Sequence, residues 1–405
     1  MYLEKLVPEH VREAYRKDAW SALLGGLYSG AIFPFIGFIA RDRLHSSVAM
    51  IGIISASPYA GCLLAIFYTQ LMDGRKKMPY LMAAWVIGRA AFILMLFRVT
   101  PLIFACIVSF CQIGGSISGP GYAAIIQEIY PNDQRATIMA YIRVGMAFTT
   151  LVATLFVGWL LKATDFRYTF AVAGFVGIVC ALAFGSIKTS DPDVSIEKQP
   201  PHEFFLSTLR SMHENSAFRK FMISVFVFGF ANIMNVTLIP IYQVDVLRIT
   251  PFQVAVLANV STVAWMLSYP YWGKRVDTAS PMHAMIMCII LSATLPINYF
   301  LVRNAWWLLP SAVLNGLALS GIELAYFNGV MFCAPEGLET QYQSFHSLSM
   351  GVRGVLAPFA ATAMIALFAH RHLDLRYAFM IITLCMLAGA VVQLAPPHRQ
   401  GACGG

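Results

Sequence analysis

Apolar runs long enough to cross a bilayer follow one another along nearly the whole chain, separated by short charged or Gly/Pro-containing breaks. A helix rising about 1.5 Å per residue needs about 20 predominantly apolar residues to span the hydrocarbon core. Twelve runs meet that length, at roughly 19–40, 48–72, 78–97, 101–129, 135–161, 167–187, 219–243, 252–273, 282–302, 305–333, 341–369 and 376–394. Only the termini and residues 188–218 are extended and polar. The pattern predicts an all-α membrane protein with twelve transmembrane helices. Residues 1–187 form a first six-helix bundle, 188–218 a cytoplasmic linker, and 219–405 a second bundle with a short tail. Leu3, Leu6, Val7, Val11 and Tyr15 alternate with charges, which predicts a short amphipathic helix on the cytoplasmic surface.

The chain also repeats itself. Asp73 recurs as Asp277 and Pro131 as Pro335, each 204 residues on. Asp165-Phe166-Arg167-Tyr168-Thr169-Phe170 returns as Asp374-Leu375-Arg376-Tyr377-Ala378-Phe379, and Arg16-Lys17 returns as Arg219-Lys220. The two bundles are therefore expected to be pseudo-symmetric. Two similar six-helix halves describe a secondary transporter, with its substrate site near the bilayer midplane where the repeats meet.

Composition agrees with the pattern: 58% of residues are hydrophobic and only 12% charged, against about 25% charged in a soluble domain. The distribution of Lys and Arg orients the chain. Sixteen fall in segments on the side of the N-terminus, nine on the opposite side, and Arg89, Arg143 and Arg353 lie inside spans. Both termini are thus expected in the cytoplasm, with the chain multi-pass in a cell (inner) membrane. The net charge of +8 suits an anionic leaflet; no basic stripe with interleaved aromatics suggests nucleic acid. Seven of the eight cysteines fall in apolar segments without metal-type spacing, which reads as small buried hydrophobes. Charges stud residues 1–18, unlike a signal peptide.

Between the second and third spans, Thr69-Gln70-Leu71-Met72-Asp73-Gly74-Arg75-Lys76-Lys77 resembles the signature G-x-x-x-D-[RK]-x-G-[RK]-[RK] of the major facilitator superfamily. The Asp and the basic cluster match, and both glycines are lost. The second copy, Gly273-Lys274-Arg275-Val276-Asp277, keeps Gly and Asp without a basic cluster after them. The resemblance covers nearly the whole chain. It implies that Asp73 and Asp277, with Arg75 and Lys77 in the motif and Glu128 and Arg135 nearby, latch the halves through the positive end of a helix. Solvated loop charges that stabilise topology are the alternative. Two further patterns depart from the family: Ser109 stands where Arg is usual before Gln112, and Ala153-Thr154 where drug–proton antiporters carry Gly-Pro.

A charge at mid-bilayer costs at least about 2.5–3.5 kcal/mol, so intramembrane polar residues are candidates for function. Glu323 sits about 15 Å deep in the tenth span and Arg353 about 18 Å deep in the eleventh, at the helical rise. His346 is seven residues before Arg353 and shares its face. Together they are expected either to bind substrate or proton, or to form a buried ion pair that locks two helices. Asn232 and Asn235 are three apart in the seventh span, and Asn315 lies on the side of Glu323. Gln112 and Ser116 share a face of the fourth span, and Tyr28 lies in the first. The resemblance places these spans around a central cavity, and interhelical hydrogen bonding is the competing role. Arg89 is deep enough to need backbone carbonyls or an anionic substrate, whereas Arg143 lies closer to the cytoplasm, within reach of Glu128. Gly114, Gly115, Gly119, Pro120 and Gly121 are expected to break the fourth span, and Gly351, Gly354 and Pro358 the eleventh.

These features predict secondary active transport of a small organic solute by alternating access, coupled to a proton, in a monomer without a cofactor or metal. Efflux of amphipathic compounds and movement of an organic anion both fit. A transporter-like receptor or scaffold without flux is the alternative of a different class. No P-loop pattern occurs, and His202, His213, His370 and His372 are scattered in loops without a catalytic constellation, so an enzyme is not expected.

Overall fold

The computed structural model describes residues 7–72, 75–131, 134–189, 215–335 and 338–394. Within them the chain is helical, with no strand among the described residues. We number the helices α1 (Arg12–Ile32), α2 (Val48–Met72), α3 (Lys77–Ala90), α4 (Pro101–Ile117), α5 (Gly119–Ile129), α6 (Arg135–Leu160) and α7 (Phe166–Gly185). After the break come α8 (Ser216–Asp245), α9 (Pro251–Ala279), α10 (Pro281–Leu301), α11 (Leu309–Cys333), α12 (Glu339–His370) and α13 (Arg376–Leu394). Helical turns continue α1 to Arg43 and α3 to Leu96, and a further turn leads into α11 from Ala305. Eleven helices among the described residues are long and apolar enough to span a membrane, and the pair α4–α5, bent by 40°, makes the twelfth span.

The chain divides into two compact units. One is Met1–Ile196 with Arg248–Asn259, and the other is Glu197–Leu247 with Val260–Gly405. The first turns of α9 thus belong with the first unit, where the Asn259 side chain donates to the Leu151 carbonyl at 2.9 Å. The proposed linker falls almost wholly outside the described residues.

Within the first unit, α1 and α6 approach closely because Gly26 and Gly30 lack side chains. A Cβ on Gly30 would stand 3.0 Å from both the Thr150 Cα and the Thr154 hydroxyl. Thr154 also donates to the Gly30 carbonyl at 3.1 Å, so the Thr that replaces the antiporter proline serves helix contact. Small residues are the usual means of close packing where lipid removes a hydrophobic drive. The second unit uses the same device between α8 and α13, where Ser224 donates to the Gly389 carbonyl at 2.7 Å.

Three local expectations are corrected. The segment from Val7 does not lie on a surface: Val7, Val11 and Tyr15 are buried in a cluster with Leu81, Ile125, Tyr130 and Phe184. Protein rather than lipid covers the apolar face of that segment. The glycines of the fourth span do break it, at Ser118, but α12 runs unbroken past Pro358. There Thr362 donates to the Pro358 carbonyl at 2.9 Å. Cys106 and Cys385 are exposed rather than buried.

The repeated hexapeptides fold alike. Asp165 accepts from the Arg167 backbone N–H at 3.0 Å, and Asp374 from that of Arg376 at 3.0 Å. Each Arg then folds back onto the same carboxylate at 2.6 Å. A carboxylate at the first turn satisfies an otherwise orphaned N–H and opposes the helix dipole. Hydrogen bonding from Arg167 and Arg376 holds both carboxyls below the ordinary aspartate range. Their contribution is therefore complete above the unfolded value of about 3.9 and is lost as pH falls through the lower folded value. Replacing either Asp by Ala is expected to cost about 1 kcal/mol. Asp165→Asn with Asp374→Asn should keep the caps but lose the charge, so thermal unfolding in detergent should show the wild-type advantage disappearing as pH drops below about 3.9.

Candidate functional site

Arg353 is the most deeply buried charge of the second unit among the described residues, 2% exposed. It projects from α12 toward α8, where its Nη1 donates to the Val225 carbonyl. Nη2 donates to the Tyr326 hydroxyl of α11 at 3.4 Å, and the guanidinium carbon lies 5.3 Å from the centre of the Tyr326 ring. The arrangement requires a glycine at 229, since a Cβ there would collide with the guanidinium. The His346 ring also packs edge-on against Tyr326, at 5.1 Å, and is 5% exposed. Arg353 Nε and His346 Nε2 are buried with no hydrogen-bond partner. Unpartnered polar atoms at this depth are costly.

Glu323 does not pair with Arg353. No carboxylate reaches ion-pair distance of Arg353 among the described residues. Glu323 and Tyr326 are three apart on α11, and only the Tyr turns inward. Glu323 instead belongs to an exposed stripe with Leu319 and Phe327, four residues to either side. Asn315, eight residues earlier, is half-buried, as is Asn232 on α8. Asn235 is buried, and both polar atoms of its amide are without a partner.

In the first unit, Arg89 of α3 is held by backbone and aromatic rings. Its Nη1 donates to the Gly177 carbonyl at 2.7 Å and contacts the Cys180 Sγ at 3.2 Å. The guanidinium sits 5.1 Å from the Tyr28 ring and 4.7 Å from that of Trp85. Tyr28 in turn places its hydroxyl 3.0 Å from the Cys111 Sγ. Trp85 Nε1 donates to the Ser118 hydroxyl at 2.8 Å, at the break between α4 and α5. Gln112 accepts from Ser57 at 2.9 Å, and Ser116 lies where α4 meets Gly61 of α2. These three neutral candidates thus make contacts between helices of one unit.

The motif residues are placed separately. Arg75 is exposed and donates to the Tyr80 hydroxyl at 2.7 Å. Lys77 begins α3 and is half-buried. Arg135 caps α5 by donating to the carbonyls of Gln127 at 2.8 Å and Tyr130 at 3.1 Å. Glu128 is half-buried near the end of α5, while Arg143 is exposed on α6. Asp73 lies outside the described residues, and of Asp277 only the helical backbone is described.

Sequence reasoning missed Asp18, the buried carboxylate of the first unit. It is 3% exposed and accepts from the Tyr130 hydroxyl at 2.9 Å, with Tyr130 itself 1% exposed. The signal was present: Val7, Val11, Tyr15 and Asp18 fall at intervals of four, four and three, so Asp18 continues the apolar face. Among the described residues no group of three or more His, Cys, Asp or Glu could hold a metal.

The family model of the Major Facilitator Superfamily matches residues 19–358. No curated protein matches the chain. Among solved structures, a variant of the nucleoside transporter NupG superposes with a TM-score of 0.79 at 11% identity, covering 94% of this chain and 99% of that one. A bacterial homologue of the human lysosomal transporter Spinster, inward-facing and unoccupied, gives 0.62 at 16% identity, covering 96% and 95%. At such identities the likeness carries the fold alone.

The contact at Gly229 gives a direct test. Gly229→Ala is expected to destabilise the protein by about 1–3 kcal/mol, as overpacking does. In an Arg353→Ala background the same change should cost much less, because the group it strikes is gone. A double-mutant cycle on unfolding in detergent measures the coupling.

Proposed function

The chain belongs to the major facilitator superfamily, and we propose that it is a proton-coupled secondary transporter of a small organic solute, working by alternating access. The observation that carries the coupling assignment is the setting of Glu323. It is an exposed carboxylate in the middle of an apolar helix, with no ion pair among the described residues. Facing hydrocarbon would cost it at least about 2.5–3.5 kcal/mol, whereas facing a watered solute path removes that cost. Glu323 is therefore assigned to the proton, and the neighbouring Asn315 and Tyr326 to the solute. Arg353 and His346 stand behind Tyr326 and set the position of its ring and hydroxyl.

Arg89 and Arg353 both lack a carboxylate partner among the described residues, which favours an anionic or zwitterionic solute over an amphipathic cation. The positive-inside distribution supports cytoplasmic termini in a cell (inner) membrane.

In proteoliposomes, an imposed pH gradient should drive accumulation of one class from a panel of organic anions, nucleosides and amphipathic cations. Glu323→Gln is expected to abolish gradient-driven accumulation while retaining exchange of labelled for unlabelled solute. Undiminished accumulation by that variant would sink the proton assignment. Failure of every class to move, with binding intact, would favour a receptor.

A further inference from the structure

A groove of about 460 Å³ runs along the first unit between α3 and α7. Met82, Ala83, Val86 and Ile87 form one wall, and Leu182 and Gly185 the other, with Ser186 at one end. The two walls meet closely where residue 185 has no side chain: a Cβ there would stand 2.7 Å from the Met82 sulfur. Ile87 and Leu182 are both well exposed, so the groove opens outward from the unit. Nothing in the proposed transport path uses it.

The Ser186 end is basic. Lys17 of α1 donates to the Ser186 carbonyl at 2.9 Å and pairs with Glu13 at 2.7 Å. Arg16, next to Lys17, and Lys188, two residues beyond Ser186, are both exposed. Both act electrostatically on Glu13, which places the three cations around one acid and leaves this corner net positive. Trp20, one turn from Arg16 on the same face of α1, is 55% exposed. An exposed Trp one turn inward from Lys and Arg is the pattern of the membrane–water boundary.

The geometry points to a binding site for an anionic phospholipid, its phosphate on Arg16 and Lys188 and one acyl chain in the groove between α3 and α7. An apolar channel on a membrane-spanning surface suits a hydrocarbon chain. Its one polar end carries charge complementary to phosphate at the depth where headgroups lie. Arg16 and Lys188, exposed and without an ion pair among the described residues, distinguish an anionic headgroup from a zwitterionic one. Lys17 is already committed to Glu13 and to the backbone, and its part is to hold α1 against the end of the groove.

The test uses the full chain purified in detergent, with phosphatidylglycerol and phosphatidylcholine of identical acyl chains as probes. Binding is read by native mass spectrometry and by the rise in unfolding temperature with lipid concentration. Phosphatidylglycerol is expected to bind about 30-fold more tightly, the preference that two basic residues near a membrane surface supply. Arg16→Gln with Lys188→Gln should bring the two lipids to within about threefold. Ala83→Trp, which fills the groove from an exposed position, should weaken both lipids. Inorganic phosphate should give no thermal shift, which separates a lipid from a free anion. Equal affinity of the two lipids for the wild type would overturn the proposal. So would a preference that survives in the Arg16/Lys188 variant, or undiminished binding by Ala83→Trp. The variant positions are solvent- or lipid-exposed, and unfolding temperatures measured without lipid establish that each variant is folded.

Discussion

A guanidinium inside a bilayer presents five N–H donors and a permanent charge, and lipid offers neither acceptors nor counter-ions. The buried Arg353 and the half-buried Arg89 are accommodated in one manner. In each case a backbone carbonyl accepts from the fork, Gly177 for Arg89 and Val225 for Arg353. Aromatic rings cover the planar face, Tyr28 and Trp85 in one unit and Tyr326 in the other. A residue without a side chain leaves room, at 177 and at 229. The carbonyls belong to helices other than the arginine's own, so each cation binds two helices together. Much of the remaining arrangement follows from that. Tyr28, Trp85 and Tyr326 pack against a guanidinium, and His346 packs against the Tyr326 ring.

The spans and the repeat were legible because each is a property of the linear pattern. Apolar length sets the helix count, and the hexapeptide beginning at Asp165 or Asp374 encodes its own cap through side chains two residues apart. Such local chemistry needs no knowledge of the fold. The site was less legible because it depends on rotation about the helix axis. Depth along α11 placed Glu323 near the bilayer centre, yet depth does not say which way a side chain points. Tyr326, three residues on, occupies the inward direction, so a carboxylate and a guanidinium at similar depth do not meet. Asp18 is the converse case: it lies near a helix end, yet its register with Val7, Val11 and Tyr15 carries it into the interior.

The two units solve similar packing problems with different residues. Close approach between neighbouring helices relies on Gly30 and Thr154 in one and on Ser224 and Gly389 in the other. These two intramembrane cations are not at repeat-related positions either, since α3 and α12 are not counterparts in the duplication. The repeat therefore preserves helix order and capped turns, while the interior chemistry of each half has diverged.

Trp85 takes part in two of the features described. Its indole N–H is bound to Ser118 at the break between α4 and α5, and its ring lies over Arg89. The angle between those two helices and the seat of the cation are consequently not independent coordinates. Any motion that straightens the break carries off the acceptor that fixes the indole, and the face over the guanidinium loosens with it. One tryptophan thus acts as a lever, so that flexing at a glycine-rich joint is felt as a change in electrostatic shielding on the neighbouring helix.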